Sequence, residues 1–93
     1  MPITYDAPKN VSVGTGTTVV LAANAARKAV VFSNAGANDI FLAFGEDAVL
    51  DKGIRVAKTD GQVTLSKHTI STQAINGIAR TGATTLSIQE ANS

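Results

Sequence analysis

The side chains able to do chemistry are few and scattered. The one histidine, His68, stands in Ser66-Lys67-His68-Thr69, a polar stretch that reads as a surface turn. A nucleophile needs a base beside it and a third group to orient that base. Serines and aspartates are present, but no serine is framed by the glycines of a nucleophile elbow. Carboxylates gather in Glu46-Asp47-Ala48-Val49-Leu50-Asp51. That run offers the oxygen ligands calcium prefers, yet its spacing matches no calcium loop, and Val49-Leu50 reads as an apolar tuck folding back onto the end of the domain. Gly14-Thr15-Gly16-Thr17 is followed by a β-branched run, where a phosphate cradle needs a helix N-terminus; it reads as a tight reversal. The aromatics are Tyr5, Phe32, Phe41 and Phe44, three of them inside apolar runs where core packing accounts for them. They do not alternate with Lys and Arg as a nucleic-acid surface requires. The expectation is a protein that is not an enzyme, with no catalytic residue, cofactor, metal, nucleic-acid or membrane partner.

Composition points the same way. With 8 Lys+Arg against 7 Asp+Glu the formal charge is +1, and the charges are spread singly, so nothing steers the chain toward phosphate backbones. A chain of 93 residues makes one domain and buries roughly 60 to 65% of its unfolded surface. Cysteine is absent, so packing or association must supply the stability. The first residues lack the basic segment and apolar run of a signal peptide. The longest strictly apolar run, residues 19–23, is too short to cross a bilayer. The expected location is the cytosol or a particle assembled there.

The elements that carry these residues are short strands. Pro2 and Pro8 mark residues 1–10 as an extended arm ahead of a single domain, 11–93. Val11 and Val13 lead through Gly14–Gly16 into residues 17–21, a plausible first hairpin. Residues 22–27 are too short for a stable helix and read as a connector. Residues 28–33 and 39–44 then flank the turn Asn34-Ala35-Gly36-Ala37-Asn38. Both flanks are apolar on two faces, which predicts a hairpin at the centre of a sheet, covered by a sandwich partner, a neighbouring subunit, or both. Short strands follow at 54–56, 63–65, 74–79 and 84–89, with Leu86 and Ile88 facing in. The fold class is therefore all-β: a small antiparallel β-sandwich or barrel, jelly-roll-like, of seven or eight strands. Val30, Phe32, Phe41 and Ala43 leave more apolar surface than one small sandwich covers, which predicts a homo-oligomer. Candidate interaction residues are Ile3 and Tyr5 in the arm, and Val30, Phe32 and Phe41 in the body.

The run "VVLAANAARKAVVFSNAGANDIFLAFGEDAVLDKGIRVAKTDGQVTL", followed by "TQAINGIARTGATTLSIQE", resembles a pattern common in small structural proteins of tailed bacteriophages. It comprises an Ala-Asn pair and an Arg before a hydrophobic strand, an Asn-rich turn, Ile-Phe-Leu-Ala-Phe-Gly, Lys-Gly-Ile-Arg, and a late Ala-Ile-Asn-Gly-Ile-Ala segment ending in Ile-Gln-Glu. The resemblance spans residues 19–90 and leaves out the arm. It implies a virion component assembled in the host cytoplasm, a capsid decoration or cement protein that stabilises the head shell through the major capsid protein and copies of itself. The alternatives are a tail or head–tail accessory protein, or a receptor- or glycan-recognition module on the virion surface.

Overall fold

β-branched and apolar residues alternating with Ser and Thr favour extended backbone, and Gly, Asn and Asp interrupt the runs every few residues. The computed structural model describes residues 4–66 and 70–92, which form nine strands. They are β1 (Thr4–Tyr5), β2 (Lys9–Val13), β3 (Thr18–Leu21), β4 (Arg27–Asn34), β5 (Ile40–Phe44), β6 (Ile54–Val56), β7 (Gly61–Leu65), β8 (Ile75–Ala79) and β9 (Thr84–Asn92).

Every pairing is antiparallel. One sheet runs β2-β9-β4-β7, with β1 beside the far end of β9; the other runs β3-β8-β5-β6. The pairs β2·β9, β3·β8, β4·β7 and β5·β6 are those of one long hairpin bent over and rolled into two layers, the arrangement of a jelly roll.

This topology corrects two local expectations. β4 and β5 do not pair: β4 lies between β9 and β7, and β5 lies between β8 and β6 in the opposite sheet. Residues 26–45 are an arch across the sandwich, with Phe32 and Ile40 both buried in the core between the layers. Asn34 fixes the arch by donating from Nδ2 to Asn38 O at 2.8 Å and Val56 O at 3.1 Å, while its Oδ1 accepts from Gly36 N at 3.0 Å. Likewise, β2 and β3 form no hairpin but belong to different sheets. Among the described strands, only β5 and β6 are both consecutive and paired.

The arm boundary also moves. β2 begins at Lys9, inside residues 1–10, and Thr4 and Tyr5 pair with Asn92 and Ala91. From Thr4 onward the segment lies against its own domain, because β9 extends beyond the end of β2 and offers edge hydrogen bonds there. Asp6 N donates to Glu90 O at 2.8 Å as part of that seam.

The core draws on both layers. Val13, Val30, Phe32, Leu65, Leu86 and Ile88 from one sheet meet Val20, Leu21, Ile40, Leu42, Val56, Ile75 and Ala79 from the other. A second, smaller cluster lies on the outside of the β3-β8-β5-β6 sheet. There Phe41, Ile78 and Ala48 are buried, with Ala43 and Leu50 against them. Loop 45–53 folds back over that face, held by Gly45 N to Ala74 O at 2.7 Å, Asn76 Nδ2 to Glu46 O at 2.6 Å and Ala48 N to Thr17 Oγ1 at 2.9 Å. The apolar tuck is therefore real, but Ala48 and Leu50 make it on the sheet face, while Val49 stays exposed.

Candidate interaction surface

Of the residues expected to meet partners, Val30 and Phe32 are completely buried in the core and offer nothing to a second molecule. Phe41 points out of its sheet, yet it is only 5% exposed because the chain's own loop 45–53 covers it. The surplus apolar surface expected of the central strands is thus covered within one chain. Arg80 closes the remaining side of Phe41, its guanidinium 5.3 Å from the ring centroid, and pairs with Asp51 of the loop. Tyr5 is exposed on β1. Ile3 and His68 lie outside the described residues.

The outer face of the β2-β9-β4-β7 sheet is a regular surface. Strand alternation and register set its rows: Ser12 beside Thr85; Asn10, Ser87, Ser33 and Gln62 in one line; Gln89, Val31 and Thr64 in the next. Apart from Val31, hydroxyls and carboxamides fill these rows without a charged side chain, and Ser87 Oγ donates to Asn10 Oδ1 at 2.8 Å. A shallow trough of about 150 Å³ crosses it, lined by Pro8, Val31, Ser33, Ser87, Ile88 and Gln89. Such rows can pack and exchange hydrogen bonds; none of the side chains named in them has a titratable group with which to move a proton. Among the described residues no group of three His, Asp or Glu side chains is placed to hold a metal ion.

Two further ion pairs lie at the two ends of the sandwich. At the end carrying the arch, Asp39 accepts from Lys58 N at 2.8 Å and pairs with Arg55 at 3.4 Å. The Lys58 hydrogen bond, aided by the positive charges of Arg55 and Lys58, holds its carboxyl below the ordinary aspartate value.

At the opposite end Arg27, 1% exposed, is the hub. Its Nε donates to Glu90 Oε2 at 2.6 Å, its NH1 to Ser71 O at 2.8 Å and Gln73 O at 2.9 Å, and its NH2 to Ala22 O at 2.7 Å. Asn24 adds bonds to Glu90 Oε2 and Asn92 Oδ1 at 3.2 and 2.7 Å. One guanidinium thereby ties two inter-sheet connections to β9, using the planar fork of donors that lysine lacks. The composition reading passed over Arg27 as part of a connector; the available signal was a single cation, in an alanine-rich stretch, directly before an apolar strand.

Burial pushes the Glu90 carboxyl up, but the Arg27 and Asn24 hydrogen bonds and the charges of Arg27 and Lys9 outweigh it and hold it below the ordinary glutamate value. A lowered folded-state value means that this group's stabilisation is present above the unfolded-state pKa and is lost as pH falls through the folded-state one. Glu90→Gln will therefore be less stable than the wild type at neutral pH, with the gap closing in acid. Denaturant midpoints measured at neutral and acid pH check this, and an equal gap at both would refute it.

Compared with protein-family models, with curated proteins and with solved structures, the chain matches none of them.

Proposed function

We propose that this chain is a structural protein of a tailed-bacteriophage virion, a decoration or cement protein that binds the head shell and stabilises it together with copies of itself. One observation carries the reading: the residues through which the sequence resembles that group are fixtures of the scaffold. Arg27 is the buried hub at one end, and Asn34 and Asn38 staple the central arch. Gly53 of Lys-Gly-Ile-Arg lets loop 45–53 turn back into β6. Residues that hold a shape and react with nothing suit a protein whose work is to present a rigid body to a repeating lattice. Jelly rolls serve in viral capsids and in lectins, although a fold alone does not assign function.

The uncharged outer face of the β2-β9-β4-β7 sheet is the docking surface this reading favours. A protein that binds the assembled shell and not its dissociated subunits stabilises the shell by mass action. Co-sedimentation with purified head shells tests the proposal. Saturable occupancy is expected, changing less than about threefold from about 50 to about 500 mM NaCl, because few charges are paired on a neutral face. A steep loss with salt would overturn docking through this face, and no binding at all would overturn the decoration reading. Immunogold labelling of purified virions separates a head position from a tail one.

A further inference from the structure

A sheet edge is a row of unpaired N–H and C=O groups, and natural sandwiches blunt it with lysine, proline, bulges or brevity. Three of the four edges here are blunted. The β1/β2 edge breaks at Asp6-Ala7-Pro8 and resumes on Lys9. β3 has four residues and a register shift between Val19 and Leu21. β6 has three residues and carries Arg55. β7 is different: Gly61-Gln62-Val63-Thr64-Leu65 pairs with β4 without a shift from Leu65 opposite Val30 to Gly61 opposite Asn34, and contains neither charge nor proline. Its outer side has no strand partner among the described residues.

We infer that β7 is the self-association edge: two copies pair β7 with β7 antiparallel about a two-fold axis through Val63, joining their sheets into one. Identical strands paired this way form an isologous contact. Gln62 of one copy lies opposite Thr64 of the other, Gly61 opposite Leu65, and Val63 opposite itself. Amide meets hydroxyl on the outer face, and the two half-buried valines, each packed against its own core, meet on the inner one. Asp60, the charge next to the strand, falls opposite Ser66 and not opposite its own copy. A second copy of this chain therefore fits the edge without like-charge repulsion anywhere along the strand. The inference deepens the self-association part of the reading above and replaces the buried central strands as its site. So short a pairing is weak in solution and gains from the high local concentration on a lattice.

Sedimentation velocity from about 10 µM to about 1 mM tests it without any shell, a range that brackets weak dimers. The wild type is expected to shift from monomer to dimer. Gln62→Lys with Thr64→Lys, which sets lysine opposite lysine on both sides of the axis, should weaken the dimer at least tenfold, and dilute samples should keep the wild-type melting temperature because both positions are exposed. Ser12→Lys with Thr85→Lys, at the opposite side of the same sheet, should leave the dimer unchanged. Should the β7 lysines disturb folding, the chain's lack of cysteine permits a second test. Gln62→Cys mixed with Thr64→Cys should cross-link under mild oxidation far more than either alone. A wild type that stays monomeric, a dimer that survives the β7 lysines, or cross-linking without that preference overturns the proposal. A monomer that still decorates shells overturns self-pairing alone and leaves the decoration reading standing.

Discussion

Replacing Arg27 with methionine will lower the thermal midpoint by about 15 °C or more, read by far-UV circular dichroism. Methionine keeps much of the apolar stem but removes every donor. The Glu90 carboxylate, whose side chain is 13% exposed, loses its cation, and the carbonyls of Ser71, Gln73 and Ala22 lose the N–H groups that satisfy them. Breaking a buried ion pair from one side costs about 3–5 kcal/mol, a large share of the roughly 5–15 kcal/mol that holds a small domain together. Each kcal/mol is worth about 4–8 °C in a domain of this size. Arg27→Lys should fall between the two, because a single ammonium cannot reach Glu90 and three divergent carbonyls together. A loss below about 4 °C for the methionine variant would show that the hub is replaceable.

Gly53→Ala will produce the second large loss, about 2–4 kcal/mol, combining the cost of left-handed backbone with that of crowding. Gly53 has φ +83°, and a Cβ there would be driven into the carbonyl oxygen of Leu42, part of β5 and unable to retreat. The turn ends loop 45–53, so the strain is relieved by lifting the loop that covers Phe41 and Ile78. Binding of a hydrophobic dye should rise along with the fall in melting temperature. Gly16→Ala, whose Cβ would meet nothing within 4 Å, serves as the neutral comparison. Equal behaviour of the two variants would refute the account.

Strand positions were legible in the sequence because alternation is local. Leu86 and Ile88 inward with Thr85, Ser87 and Gln89 outward is a pattern that any extended chain half-covered by a core must show. Sheet membership was not legible. Val30, Phe32, Ile40 and Leu42 face inward whether 26–45 folds as a hairpin or as an arch, so the pattern is identical for both. What decides is β9, more than fifty residues beyond β4 in the chain, which takes the place beside β4 that β5 would occupy in a hairpin. The interaction site was misread for a related reason. Phe41 has the profile of a surplus apolar residue until loop 45–53 is folded over it, and the tuck, read at Val49-Leu50 onto the end of the domain, is made by Ala48 and Leu50 on the sheet face. Conversely, the bare edge of β7 cannot be seen before the sheet order is known, since the same five residues in a central strand would be unremarkable.

The position of β9 has a consequence for biosynthesis. It lies between β4 on one side and β1 and β2 on the other, and the ribosome makes it after all three. Until it emerges, the apolar side chains of β2 and β4, Val13, Val30 and Phe32 among them, belong to strands without their common neighbour. The nascent domain therefore has to stay unfolded or shielded until β9 emerges, and the layer closes only then.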